Sequence, residues 1–119
     1  MQAKTPNKGL AGEEAAANHL EKKGMRIIER NFRSRTGEVD IVALDGETVV
    51  FAEVKAWSSY GMENLEQAID AKKQRKIIET AKYFLAAHRK YRYMAIRFDV
   101  IFISQDGINH LASAFTESV

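Results

Sequence analysis

Three residues in the middle of the chain have types and a spacing that could do metal-assisted phosphate chemistry. Asp40 is followed thirteen residues later by Glu53, and Lys55 comes two residues after that. Two neighbouring carboxylates can share a divalent cation, and Mg²⁺ prefers oxygen ligands together with waters and phosphate. A lysine beside them could orient or deprotonate the attacking water, or neutralise charge on a phosphate in the transition state.

A β-hairpin is the element that must bring these residues together. Residues 37–55, GEVDIVALDGETVVFAEVK, contain two alternating apolar runs joined at Asp45-Gly46. Asp-Gly between such runs is a strong hairpin signal, and it predicts two antiparallel strands.

The register of this hairpin decides which side chains share a face. With the Asp-Gly pair as the loop, Asp40 lies opposite Phe51 and Glu38 lies opposite Glu53. Side chains alternate between the two faces of a strand, so Asp40, Glu53 and Lys55 point to the same side. Asp40 and Glu53 are then diagonal neighbours, with Cβ atoms within roughly 7–8 Å.

The same charges have a simpler interpretation. Lys55 could pair with Glu53 or Asp40 on an edge strand, because charged residues on a strand usually form a solvated face. The apolar residues around them favour the first interpretation, since unpaired charge among apolar side chains is costly unless a cation compensates it.

The chain resembles a known family in four blocks that occur in the same order. They are GLAGEEAAANHLEKKG, GEVD, FAEVK and RFDVIFI, and together they span about Gly9 to Ile103. These blocks are similar to the YraN-like family of small bacterial endonuclease-like proteins. Asp40 with Glu53-Val54-Lys55 resembles the D…(D/E)-x-K signature of the restriction-endonuclease-like and Holliday-junction-resolvase-like superfamily. The resemblance favours a functional role for the hairpin.

That resemblance implies a metal-dependent nuclease that hydrolyses phosphodiester bonds in a structured or single-stranded nucleic acid, in DNA repair or recombination. Asp40 and Glu53 would hold Mg²⁺ or Mn²⁺, and Lys55 would be catalytic. DNA is the expected partner, and a homodimer is expected by analogy with resolvases of similar fold. The alternative is a non-catalytic nucleic-acid-binding or partner-binding module on the same scaffold.

Glu13 is a further candidate, on a helix predicted from Gly9 to about Lys23. From its position alone, Glu13 is equally well explained as a first-turn carboxylate near the positive end of the helix dipole. The resemblance adds a catalytic and metal-supporting role, because nucleases of this superfamily often carry a helical Glu that reaches the metal site.

Two groups of cations could contact phosphates, which gives affinity without sequence specificity. One precedes the hairpin, and the other lies on a helix predicted from Glu63 to about Arg89, with or without a break near Ala71. A solvated surface is the alternative for both groups. Gln67 on the same helix is a weaker candidate for an orienting residue. The candidate nucleic-acid-binding residues are Arg33, Arg35, Lys72, Lys73, Arg75 and Lys76.

The order of predicted elements is α-β-β-β-α-β, with a short last strand over Ile108 to Leu111. It predicts an α/β sandwich in which a mixed central sheet of four or five strands is flanked by helices, similar to the restriction-endonuclease-like core. We expect one domain over residues 9–112, with flexible tails at 1–8 and 113–119.

Composition sets broader limits. The absence of cysteine excludes disulfides and thiolate metal sites and fits a reducing, cytoplasmic location. No apolar run approaches the length of a membrane span. The net charge of +2 does not by itself identify a nucleic-acid binder. The three histidines are scattered without ligand spacing, and Arg97 and Asp99 are expected to satisfy each other within one apolar strand.

Overall fold

A computed structural model describes residues 8–56 and 68–117 of the chain. Within these ranges the chain forms two long helices, five strands and one turn of 3₁₀ helix. None of the helices in the described ranges is long and apolar enough to cross a membrane. In chain order the elements are α1 (Lys8–Lys22), β1 (Arg26–Ser34), β2 (Gly37–Asp45), β3 (Thr48–Ala56), α2 (Ala71–Ala87), the 3₁₀ turn (Arg89–Tyr91), β4 (Ala95–Ser104) and β5 (Gly107–Phe115).

The five strands form one mixed sheet in the order β1-β2-β3-β4-β5. Neighbouring strands are antiparallel except β3 and β4, which are parallel over nine residue pairs. A parallel pair needs a crossover connection, and α2 lies in that crossover. This is the α/β sandwich with a mixed central sheet that the sequence predicts.

One helix covers each face of the sheet. On one face α1 contributes Leu20 to a cluster that includes Ile41 and Ile101 of the sheet. On the other face α2 contributes Phe84 to a cluster that includes Phe51 of the sheet. The helices therefore enclose the sheet from both sides, and both can reach the same end of β2 and β3.

The hairpin loop lies one residue later than predicted. Asp45 pairs with Thr48, so Gly46 and Glu47 are the two loop residues. Gly46 has a φ of 61°, which suits the first position of a two-residue hairpin turn, where glycine is favoured.

The predicted register is consequently wrong by two residues, because Val42 rather than Asp40 lies opposite Phe51. A shift of two preserves the faces, whereas a shift of one would exchange them. The prediction that Asp40 and Glu53 lie on one side of the hairpin therefore does not depend on the error.

The helix α2 begins at Ala71, at the break that the sequence allows. The Asp70 side chain accepts the Lys73 backbone N–H at 2.9 Å and caps the helix. Such a cap satisfies one of the free N–H groups of the first turn. Gln67 lies outside the described residues.

The last strand is longer than predicted. β5 continues past Leu111 to Phe115, so residues 113–115 belong to the sheet, and the prediction that the chain frays from Ser113 is wrong. Phe115 is buried and stacks on Phe98 with ring centroids 5.1 Å apart. Burial of this ring stabilises the strand beyond a bulge at which Ser113 takes a φ of 52°.

Candidate metal centre

The candidate site forms where two strands stop pairing. The pairing of β2 with β3 ends at Ile41–Ala52, whereas β3 continues beside β4 to Ala56. Beyond that last pair, Asp40 Oδ2 accepts the backbone N–H of Val54 at 2.8 Å. The Asp40 carboxyl group therefore stands in for a backbone acceptor and is held at the end of the hairpin pairing.

Four acidic residues gather at this point. Glu13, Glu38 and Asp40 each offer a carboxylate oxygen, and these oxygens all lie within 4.8 Å of one another. Glu53 of β3 lies close enough to Asp40 for the two carboxyl groups to shift each other's pKa. We refer to Glu13, Glu38, Asp40 and Glu53 as the acidic cluster; its members come from α1, β2 and β3.

The electrostatics of the acidic cluster favour bound protons in the absence of a cation. Burial and the negative charge of Asp40 raise the pKa of Glu53 to about 8, although Lys73 opposes the shift. Burial also raises the pKa of Asp40, against the opposing effect of the Val54 N–H. With its pKa raised to about 8, Glu53 favours the protonated form at neutral pH when no cation is bound.

These residues fit a hard divalent cation. The donors are carboxylate oxygens, which Mg²⁺ and Mn²⁺ prefer. A bound cation would reduce the electrostatic repulsion between the charged carboxylates and would displace the proton of Glu53. Glu13, Asp40 and Glu53 are the ligands expected from the sequence, and the fold places Glu38 beside them.

A cavity of about 280 Å³ opens beside the acidic cluster, between the start of β2 and the first two turns of α2. Lys73 and Lys76 of α2 line the cavity opposite the acids. The Nζ atom of Lys73 lies 3.7 Å from Glu53 Oε2, and the lysine side chain is 46% exposed. An ion pair this long and this exposed compensates the carboxylate only weakly.

The other predicted cations take different positions. Lys72 and Arg75 are exposed on α2 and do not line this cavity. Arg33 pairs with Glu38, with 3.3 Å between Nε and Oε1, and Arg35 is exposed in the turn before β2. Their roles in nucleic-acid binding stay predictions.

Lys55 lies on β3 two residues after Glu53, half-buried and opposite Phe102 of β4. Alternation puts it on the same face of β3 as Glu53. It does not line the cavity, so its catalytic role also stays a prediction.

Glu38 was not predicted as a site residue. Its signal was its position two residues before Asp40, because alternate residues of a strand share a face. The sequence implied Glu13 only through the family resemblance, and its approach to Asp40 depends on how α1 packs against the sheet.

A hydroxyl network holds the helical side of the cavity, and no pattern in the sequence predicted it. Thr80 is fully buried, and its Oγ1 donates to the Lys76 carbonyl at 2.7 Å and contacts Thr36 Oγ1 at 2.9 Å. Gly37 follows with a φ of 149°, and a Cβ there would lie 3.3 Å from Thr80 Oγ1. The network therefore ties the turn before β2 to α2.

The sequence model of the family described as "Uncharacterised protein family UPF0102" matches residues 12–103. The chain belongs to the UPF0102 family. Among its relatives, a UPF0102 protein of Persephonella marina is 46% identical over 108 residues, covering 91% of this chain and 92% of the relative. A UPF0102 protein of Treponema denticola is 44% identical over 121 residues, covering 90% and 93%. The range matched to the UPF0102 family contains the entire acidic cluster, and the resemblance noted in the sequence is confirmed.

Proposed function

We propose that this UPF0102 protein is a metal-dependent nuclease that hydrolyses phosphodiester bonds. The observation that carries the proposal is the acidic cluster, in which three elements bring four carboxyl groups together with little compensation. Asp40 and Glu53 would hold Mg²⁺ or Mn²⁺, supported by Glu13 and Glu38. When bound, the cation would supply Lewis-acid stabilisation of charge on the phosphoryl group.

The chain's own cations have complementary roles in this proposal. Lys73 and Lys76 face the acids across the cavity and would bind phosphate oxygens, which orients the scissile bond. Lys55 would orient the attacking water or stabilise charge in the transition state. We propose DNA as the partner, and a homodimer as the active assembly.

A metal titration tests the site directly. We expect Mn²⁺ binding by calorimetry in the wild type and its loss in the double variant Asp40→Asn/Glu53→Gln. Asparagine at position 40 keeps an acceptor for the Val54 N–H, so the variant is close in shape to the wild type. Glu47→Gln, in the exposed hairpin turn, is the matched control. Binding that survives in the double variant would contradict the proposed site.

Cleavage assays test the activity. Labelled single-stranded, duplex and branched oligonucleotides are incubated with purified protein in Mg²⁺, in Mn²⁺ or in EDTA. We expect cleavage by the wild type with metal, and its loss in EDTA and in Lys55→Ala. Metal-dependent cleavage that is unchanged in Lys55→Ala or in the double variant would contradict the assigned roles.

A second candidate is a non-catalytic nucleic-acid-binding module. The ion pair between Lys73 and Glu53 favours it, because the protein supplies a cation of its own to the acidic cluster. Salt-sensitive binding of nucleic acid without cleavage in Mg²⁺ or Mn²⁺ would support this candidate over the nuclease.

A further inference from the structure

The turn that links α2 to β4 presents three cations and one aromatic ring to solvent. Arg89, Lys90 and Arg92 are exposed, and Tyr93 is 90% exposed. We refer to these four residues as the basic turn. Residues 80–98 contain five of the 18 lysines and arginines and no aspartate or glutamate, whereas the whole chain has a net charge of only +2. Positive charge is therefore concentrated in this part of the chain.

The basic turn is anchored to the core. Tyr91 is buried, and its ring lies nearly parallel to that of Phe84, with centroids 6.1 Å apart. The backbone N–H groups of Tyr91, Arg92 and Met94 donate to carbonyls three residues earlier at 3.0–3.1 Å. The buried tyrosine faces inward while its neighbours face solvent, so the cations are displayed from an ordered backbone. A ligand would then order little more than their side chains.

The three cations have no carboxylate partner among the residues that the structure describes. Nearby Lys82 contrasts with them, because it pairs with Glu79 and Glu117. Instead, Arg92 lies over the ring of Tyr93, with its Cζ atom 5.4 Å from the centroid. Cations that are not neutralised by a carboxylate, next to an exposed ring, match the needs of a single strand, whose phosphates and unpaired bases lie side by side.

We propose that the basic turn binds single-stranded nucleic acid, with its cations on phosphates and Tyr93 stacked on an unpaired base. The proposal rests on the proposed function in taking nucleic acid as the ligand. The basic turn is distinct from the acidic cluster: Arg89 comes thirteen positions after Lys76, mostly along α2, which is about 20 Å at helical rise. It would hold the strand at a distance from the scissile bond and favour substrates with a single-stranded region.

Binding in EDTA tests the cations without turnover. The anisotropy of a labelled single-stranded oligonucleotide is followed against salt concentration for the full chain. We expect the triple variant Arg89→Ala/Lys90→Ala/Arg92→Ala to bind at least tenfold more weakly, with a salt slope smaller by about 2. The matched control is Lys22→Ala/Lys23→Ala/Arg26→Ala, which removes the same charge from exposed positions elsewhere and should retain wild-type binding. Urea unfolding of each variant checks that the fold is kept.

A second comparison tests the ring. We expect Tyr93→Ala to weaken single-strand binding about fivefold or more, while Tyr93→Phe retains it because the stacking face remains. Tyr83, 48% exposed on α2 outside the basic turn, provides the control variant Tyr83→Ala, which should bind like the wild type. Binding of a fully paired duplex should respond little to Tyr93→Ala.

Three results would overturn the inference. Equal losses in the two triple variants would show a general effect of net charge. Unchanged single-strand binding in Tyr93→Ala would show that Tyr93 does not stack on a base. Loss of binding to phosphatidylserine vesicles in the first triple variant, with oligonucleotide binding intact, would assign the basic turn to an anionic membrane surface.

The inference and the proposed function can fail separately. If basic-turn variants lose single-strand binding while the wild type cleaves nothing in metal, the basic turn is established and the nuclease is not. If the wild type cleaves and the basic-turn variants bind and cleave equally well, the nuclease stands and the inference fails.

Discussion

Two aspartates of the same sheet, Asp40 on β2 and Asp99 on β4, have opposite surroundings. Asp99 is fully buried and accepts hydrogen bonds from Arg97 at 3.0 and 3.1 Å, from His110 at 2.7 Å and from the Ser113 N–H at 3.0 Å. Burial acts to raise the pKa of Asp99, but these donors outweigh it and hold the pKa at about 2. Asp99 is therefore a charged group with a full set of partners.

Asp40 has the reverse environment. One backbone N–H, from Val54, is its donor at 2.8 Å, and its other neighbours include the carboxyl groups of Glu13, Glu38 and Glu53. Burial and the negative charges of Glu13 and Glu38 raise its pKa, against the opposing effect of the Val54 N–H. The difference teaches that an aspartate of the sheet becomes a structural residue or a candidate cation ligand according to the charges that neighbouring elements bring to it. The sequence prediction that Arg97 and Asp99 satisfy each other is confirmed.

The partners of Asp99 extend across the fold. His110 Nε2 donates to Asp99, and His110 Nδ1 lies 3.2 Å from His19 Nε2 of α1. Arg97 also donates to Asp45 at 2.9 Å. We call these five residues the Asp99 network; it joins α1, β2, β4 and β5, and we expect it to contribute more to stability than any part of the acidic cluster.

The largest predicted effect breaks this network. Asp99→Ala leaves Arg97 and His110 without their buried acceptor, and we expect it to lower the free energy of unfolding by about 3–5 kcal/mol. Urea denaturation at pH 7 measures the change, with Asp106→Ala in the exposed β4–β5 turn as the control. If Asp99→Ala lowered the free energy of unfolding no more than Asp106→Ala, the hydrogen bonds of Asp99 would not distinguish it from Asp40 in stability.

The next prediction concerns the acidic cluster, where removal of a carboxylate should raise the free energy of unfolding instead of lowering it. The pKa of Glu53 is raised from 4.5 to about 8 in the folded chain, so the folded state binds more protons than the unfolded state between these values. Without metal, stability should therefore fall as pH rises from about 4.5 to about 8. We expect Glu53→Gln to remove this fall and to be more stable than the wild type at pH 9 by roughly 3 kcal/mol.

Urea denaturation in EDTA across this pH range checks the prediction, with Glu47→Gln as the control. Saturating Mn²⁺ should reverse the order of the two proteins, because only the wild type would bind it. If the stability of wild type and of Glu53→Gln depended on pH in the same way, the pKa of Glu53 would not be raised in the folded protein.

At acid pH the contribution of Asp99 to stability should again differ from that of the acidic cluster. The pKa of Asp99 is lowered from 3.8 to about 2, so its contribution is present above pH 3.8 and is lost as pH falls towards 2. We expect about 2 kcal/mol to disappear over this interval. Asp99→Asn should show a smaller fall than the wild type when unfolding is followed by circular dichroism. An identical fall in both proteins would assign the acid sensitivity to other carboxyl groups.

The smallest predicted effect tests how the cavity is held. Thr80→Val keeps the shape of the side chain but removes the hydroxyl that contacts Thr36, and we expect a loss of about 1 kcal/mol. If the hydroxyl network positions α2 against β2, Mn²⁺ affinity should fall as well, whereas Thr48→Val at the hairpin turn should leave it unchanged. A stability loss without any change in Mn²⁺ affinity would restrict Thr80 to a structural role.

Much of the fold followed from local patterns. The Asp-Gly hairpin signal and the predicted order of elements match the observed order of helices and strands, and the helix predicted from Gly9 to about Lys23 lies close to α1. The errors were in the register of the hairpin and the length of β5. Both depend on contacts that a local pattern does not contain, namely the turn geometry at Gly46 and the stacking of Phe115 on Phe98.

The sequence by itself determined that Asp40 and Glu53 share one face, because strand alternation has a period of two and survives an even error of register. It also determined the family. Glu13 was expected only through the resemblance to the family. Only the tertiary structure decided that Glu38 joins these residues and that Lys73 faces Glu53 while Lys72 does not. These contacts depend on where each helix starts and on how it packs across the sheet. Local sequence patterns do not predict contacts between residues that are far apart in the chain.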